Sequence, residues 1–128
     1  MKIRVLVLDD EPSICDLLKI SLDTYGMETT VCNDGTEAVR LFSSARVMQR
    51  GFDVVILDLS IPGGKGGLET FREMRALDET VVSIASSGYF DEQLEVDLRT
   101  EGFQSFLPKP YNVEELVRQL RQLTGRKY

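Results

Sequence analysis

Two apolar runs of this chain end in aspartates. Val5-Leu6-Val7-Leu8 leads into Asp9-Asp10-Glu11, and Val54-Val55-Ile56-Leu57 leads into Asp58. A third segment, Phe103-Gln104-Ser105-Phe106-Leu107, leads into Pro108-Lys109-Pro110. If the three segments are neighbouring parallel strands, three carboxylates and one ammonium meet at one edge of a sheet. Clustered carboxylates repel one another and shift each other's pKa. A hard divalent cation relieves that repulsion, and an all-oxygen ligand set suits Mg2+. Such a site can hold a metal and present one aspartate as a nucleophile.

The elements that must position these groups are legible as two alternating patterns. Short runs rich in Val, Ile and Leu occur at 3–8, 54–57 and 81–85, with weaker ones at 28–32 and 103–107. Continuous apolar runs suit strands buried on both faces of a parallel sheet. Helical patterns lie between them. The first spans about 12–25, opening on Pro12 and stopping at Gly26; Ile14, Leu18, Leu22 and Tyr25 share one face. The second spans about 36–49, with Asn33 or Asp34 as its cap. The others span 68–77, about 92–100 before Gly102, and 113–123 with Asn112 as cap. Five strands alternating with five helices predict an α/β sheet with right-handed crossovers and helices on both faces.

Bulk properties narrow the function. With 128 residues, the chain has room for one domain with a real core. A net charge of −6 argues against direct nucleic-acid binding, which needs a basic footprint. Histidine is missing, which excludes His-based triads and imidazole zinc sites. Cys15 and Cys32 sit in a helical and a strand pattern and are expected to pack as small apolar residues rather than as a disulfide. The first apolar run is too short for a signal-peptide core, and no stretch is long enough for membrane insertion, so a cytoplasmic location is expected.

Four segments together resemble the receiver domain of two-component response regulators across essentially the whole chain. They are Leu8-Asp9-Asp10-Glu11-Pro12, Leu57-Asp58-Leu59-Ser60-Ile61-Pro62, Ser86-Ser87-Gly88-Tyr89 and Pro108-Lys109-Pro110. Each follows a strand pattern, in the family's order. The resemblance implies a doubly wound, flavodoxin-like five-stranded parallel sheet in the order 2-1-3-4-5. Ligands of such sheets bind where the strand order reverses.

The same resemblance implies roles for individual residues. Asp58 becomes the phosphoacceptor, taking a phosphoryl group from a histidine kinase or a histidine phosphotransfer protein. Asp9 and Asp10 become the Mg2+-binding pair, Asp10 directly and Asp9 partly through water, with Asp58 and the backbone carbonyl of Ser60 as further ligands. Lys109 pairs with Asp58 before reaction and with phosphate afterwards, and its bond to Pro110 is expected to be cis. Ser87 becomes the hydroxyl switch, with Ser86 as the competing assignment. Phe106 occupies the aromatic switch position where family members often carry tyrosine. The output surface would be the fourth helix, fifth strand and fifth helix, read by a downstream protein this sequence does not name.

Blander readings stand beside these. Asp58 could be a turn residue, Asp9 and Asp10 could favour a helix N-terminus through its dipole, and Phe106 could be core. The glycine-rich loop Pro62–Gly67 is one residue longer than the commoner family spacing, and it lacks the Gly-Lys-Ser/Thr ending of a phosphate-binding loop. Lys65 in that loop is expected in solvent, with phosphate contact as its alternative. Three other functions compete. An aspartate-nucleophile phosphatase wants a general acid two residues after Asp58, where Ser60 stands. A flavin carrier would meet repulsion from Asp9, Asp10 and Glu11 at its phosphate. A degenerate receiver would bind partners without phosphorylation. A signalling module, not an enzyme beyond its own phosphorylation and slow dephosphorylation, is the reading carried forward. Because the sequence stops shortly after the fifth helical pattern, a single-domain regulator or a receiver cut from a hybrid kinase is expected.

Overall fold

Apolar runs bounded by turn residues form five strands, and the segments between them form five helices. The computed structural model describes residues 1–126. In chain order the elements are β1 (Arg4–Leu8), α1 (Pro12–Thr24), β2 (Glu28–Cys32), α2 (Gly35–Val47) and β3 (Val54–Asp58). They continue with α3 (Gly67–Leu77), β4 (Ser83–Ser87), α4 (Glu92–Glu101), β5 (Ser105–Pro108) and α5 (Val113–Thr124). All neighbouring strands are parallel, in the order β2-β1-β3-β4-β5. This is the doubly wound sheet expected from the sequence.

Side-chain alternation along the strands divides the core in two. Val5, Val7, Ile56 and Ile84 pack with Leu18 and Leu22 of α1 and with Leu116 and Leu120 of α5. Leu6, Leu8, Val55, Leu57 and Ala85 face the other way, onto Phe42 of α2, Phe71 and Met74 of α3 and Leu98 of α4. Burying each large side chain of this kind favours folding by about 1.5–3 kcal/mol. No residue of β3 is exposed, which is why it reads as an unbroken apolar run ending in a buried aspartate.

Helix starts follow capping chemistry. Asp34, rather than Asn33, accepts from the Glu37 N–H at 3.0 Å to open α2. Asp91 caps α4 through the Leu94 N–H at 2.7 Å, and Asn112 caps α5 through the Glu115 N–H at 3.0 Å. Each such cap contributes about 1 kcal/mol. Gly102 ends α4 at φ 119°, in the left-handed region that favours glycine.

Two strands are displaced from their expected spans. Expected over 81–85, β4 covers Ser83–Ser87, in register with β3 from Val55↔Ser83 to Asp58↔Ser86. Its serines are small enough to be enclosed while their backbones pair, so hydrophobicity alone marks the wrong end. Expected from Phe103, β5 begins at Ser105. The Phe103 N–H instead bonds the Leu98 carbonyl at 3.0 Å to close α4, and its ring lies 4.3 Å from that of Phe71.

The glycine-rich loop divides into two parts. Around Gly63 there is open space. Gly67 begins α3 against the backbone of β3: a Cβ there would stand 2.6 Å from the Asp58 carbonyl oxygen. Lys65 is neither in free solvent nor aimed at the acidic cluster, because its ammonium pairs with Glu73 of α3.

That close approach makes an unusual sign testable. Alanine near a helix start is ordinarily neutral or stabilising relative to glycine. Gly67→Ala is expected to destabilise by about 1–3 kcal/mol, the usual cost of overpacking. Gly51→Ala, where a Cβ meets nothing within 4 Å, should stay within about 0.5 kcal/mol of the parent. Urea unfolding of both variants checks the contrast.

Candidate acidic site at the sheet edge

Four side chains gather because each lies two positions beyond a residue on the α1/α5 face of the sheet. Asp9 follows Val7, Asp58 follows Ile56, Ser86 follows Ile84 and Lys109 follows Leu107, and those four apolar residues share one core. β1 and β3 are adjacent, so Asp9 and Asp58 come from neighbouring strands. With Asp10 they form a cluster whose ligand oxygens lie within 4.8 Å of one another. Asp9 is 0% exposed and Asp58 1%, whereas Asp10 is half-buried and lies at the open side.

The Lys109 ammonium binds two of these carboxylates. Its Nζ lies 2.9 Å from Asp58 Oδ2 and 3.2 Å from Asp9 Oδ2, with Glu11 Oε1 at 3.9 Å. The Lys109 backbone N–H donates to the Ser87 carbonyl at 2.9 Å, tying the end of β5 to the end of β4. The Lys109–Pro110 peptide is cis. Backbone donors hold the other oxygens. Ser60 N–H donates to Asp58 Oδ1 and Glu11 N–H to Asp9 Oδ1, each at 3.0 Å.

Electrostatics follow from this geometry. Burial pushes the Asp58 carboxyl above its ordinary value; Lys109 and the Ser60 N–H pull it back, and Asp9 adds to the rise. For Lys109, burial works against the charge, but Asp58 and Asp9 together raise its pKa. The two directions are compatible because one ammonium faces two buried carboxylates. Among Asp9, Asp10, Asp58 and Lys109, two negative charges remain uncompensated. Carboxylates about 4–5 Å apart repel by roughly 1–4 kcal/mol per pair, depending on the effective dielectric. An all-oxygen cluster with this surplus fits a hard divalent cation such as Mg2+. Asp9 and Asp10 precede Glu11, the N-cap of α1, and neither lies in that helix's first turn.

The remaining expected residues take distinct places. Ser86 is fully buried and its hydroxyl lies 2.5 Å from that of Tyr111. Ser87 is half-buried at the end of β4, where its Oγ accepts from the Tyr89 N–H at 3.2 Å. Phe106 faces α4, with its ring 5.5 Å from Phe90 and the Arg99 guanidinium 4.7 Å above it. Ser60 adjoins the cluster through the N–H already described. Tyr111 is the site residue that sequence reasoning missed: its hydroxyl donates to Asp9 Oδ2 at 3.0 Å. The available signal was a polar-tipped aromatic only two residues after Lys109. Burial, with Asp9 nearby, raises the Tyr111 pKa and keeps the hydroxyl protonated.

Comparisons with known proteins agree with this arrangement. The family model described as the response regulator receiver domain matches residues 5–121. The chain is 35% identical over 124 residues to the transcriptional regulatory protein TrcR of Mycobacterium tuberculosis, covering 97% of this chain and 46% of that protein. It is 32% identical over 127 residues to the transcriptional regulatory protein CpxR of Klebsiella pneumoniae, covering 98% and 50%. The chain thus spans about half the length of these curated relatives. Among solved structures, the chemotaxis protein CheY4 of Vibrio cholerae superposes with a TM-score of 0.86 at 26% identity, covering 96% of this chain and 99% of that one. A response regulator receiver domain protein from Clostridium thermocellum gives 0.85 at 27% identity, covering 97% and 95%.

A raised carboxyl pKa makes the charged form a liability to the metal-free fold. For Asp58 the folded value lies above the ordinary 3.8, so the unfavourable contribution is full at neutral pH. It fades as pH falls through the folded value and is gone below the unfolded one. In EDTA, Asp58→Asn is therefore expected to melt at a higher temperature than the parent at neutral pH. The gap should close as the pH approaches 3.8. Thermal melts of both proteins across that range check the sign.

Proposed function

This chain belongs to the response regulator receiver domain family, and we propose that it is a phosphorylation-controlled signalling module with Asp58 as its phosphoacceptor. The observation that carries this reading is the environment of Asp58. It ends the central strand, sits among two further aspartates, and is held by a lysine at 2.9 Å.

In the proposed reaction an Asp58 carboxylate oxygen attacks the phosphorus of a phosphohistidine on a histidine kinase or histidine phosphotransfer protein. An acyl phosphate forms as the P–N bond breaks, and the electron pair leaves on the imidazole nitrogen. Asp10 would hold Mg2+ directly and Asp9 partly through water, with Asp58 and the Ser60 carbonyl as further ligands. When bound, that cation supplies charge neutralisation for the phosphoryl oxygens. Lys109 shifts its pairing from the carboxylate to the phosphoryl group, as a flexible point charge can. Ser60, two residues after Asp58, has no acid to offer a leaving alcohol, so turnover as a phosphatase is disfavoured. No helix among the described residues is long and apolar enough to cross a membrane.

The output is proposed to pass through α4, β5 and α5. Ser87 reaches toward the new phosphoryl group with a hydroxyl that, unlike that of Ser86, is not enclosed by Tyr111. α4 fully buries only Leu98, and Phe106 touches it through Arg99. A segment so lightly anchored shifts readily. Moving an inactive-to-active ratio from 1:99 to 99:1 takes about 5.5 kcal/mol. A hydroxyl contact and a lysine pair with phosphate, at ~1.5–3 kcal/mol each, approach that figure.

Incubation with Mg2+ and acetyl phosphate should add one phosphoryl group by intact mass, removable by hydroxylamine and missing in Asp58→Asn. A stable adduct on Asp58→Asn would refute the assignment. Ser87→Ala should still accept phosphate or its beryllofluoride mimic, yet leave α4 near its resting state. Amide chemical shifts read this: perturbations reaching from Tyr89 to Phe106 in the parent should shrink in the variant.

A further inference from the structure

We propose that Tyr111 is a positioning residue that fixes the Asp9 carboxylate for a divalent cation, an inference that rests on the cation-binding role of the acidic pocket. Asp9 is fully enclosed, so bulk water does not satisfy its oxygens. Its Oδ1 is held by the Glu11 N–H, and its Oδ2 by Lys109 and Tyr111. Of the two side chains on Oδ2, Lys109 divides its charge between Asp9 and Asp58 and has a second task at the phosphoryl group. Tyr111 has no such division. Its ring packs against the α1/α5 core, and its hydroxyl lies between Asp9 and Ser86.

The direction of this hydrogen-bond chain is set by chemistry. An ionised carboxylate only accepts, so Tyr111 spends its single proton on Asp9. Ser86 must then donate to the tyrosine oxygen, and successive donors polarise one another toward the carboxylate. Ser86 is the register partner of Asp58 on β4. The chain therefore links the strand beside the phosphoacceptor to the aspartate at the end of β1. The carboxylate is held in one rotation, with both lone pairs of Oδ2 engaged and the remaining lone pair of Oδ1 available to a cation without reorientation. A phenylalanine at 111 keeps the ring packing and removes this restraint. Pure packing would be indifferent to that change.

The test is Mn2+ binding to the whole chain, read as free Mn2+ by electron paramagnetic resonance. Melts in EDTA establish that each variant is folded. Tyr111→Phe should weaken Mn2+ affinity about tenfold, the lower end of what outer-shell partners of metal ligands contribute. Ser86→Ala, which cuts the chain at its far end, should weaken it in the same direction. In an Asp9→Asn background, Tyr111→Phe should have little further effect, because it acts through Asp9. Affinity in Tyr111→Phe equal to or tighter than the parent's overturns the proposal, as does an undiminished effect in the Asp9→Asn background. If Tyr111→Phe does not fold, unchanged affinity in Ser86→Ala overturns it instead. A parent protein that binds no Mn2+ overturns the pocket's cation role and this inference together. Parent binding lost in Asp10→Asn, with Tyr111→Phe unaffected, overturns the tyrosine's role alone.

Discussion

One ammonium shared between two enclosed carboxylates is the constraint on which this molecule turns. Lys109 can reach Asp58 and Asp9 together only if the end of β5 comes back to the edge where β1 and β3 finish. The parallel arrangement supplies that, since it brings the C-terminal ends of all five strands to one side. The lysine still falls short of the charge it faces. On the proposed reading, a hard cation would offset that shortfall and, once held, would also offset the negative charge of an incoming phosphoryl group. A fully neutralised pocket would be more stable and less reactive.

That local cost is carried by a core that owes nothing to the site. Both faces of β1 and β3 are packed, one on α1 and α5 and the other on α2, α3 and α4. Stability thus resides in the middle of the sheet and the clustered charge at its edge. The two meet at the backbone of Asp58, where Gly67 lets α3 press against the carbonyl of the proposed phosphoacceptor. An added methyl group there would press directly on the backbone of Asp58.

Much of this was legible in the sequence, for identifiable reasons. The aspartates announce themselves because each breaks a run of branched apolar residues, a pattern with few structural uses. The element order follows from the change of period between strand and helix. The displaced span of β4 was not legible because Ser83 and Ser86 are buried polar residues, and their enclosure depends on neighbours distant in sequence. The start of β5 was hidden because Phe103 serves the end of α4 and the Phe71 ring instead of the sheet. Lys65 was expected in solvent because loop lysines usually are, whereas its partner Glu73 lies on the following helix, a pairing that spacing across the loop does not reveal. Tyr111 escaped notice because an aromatic after a proline reads as loop packing. Its hydroxyl acquires meaning only once Asp9, 102 positions away, is brought beside it.

The two cysteines lend the corner around Asp9 a property measured in time rather than distance. Cys15 Sγ lies 3.4 Å from the Asp9 carbonyl, and Cys32 Sγ lies at the same distance from the Val7 carbonyl. Both are free and buried. Burial pushes the Cys15 thiol up to about 11 and the Cys32 thiol up to about 12. At neutral pH such thiols are doubly silent toward alkylating reagents, being both enclosed and protonated. Labelling of either thiol therefore requires an excursion that brings it to water. The pair are native reporters of any opening at the floor beneath Asp9.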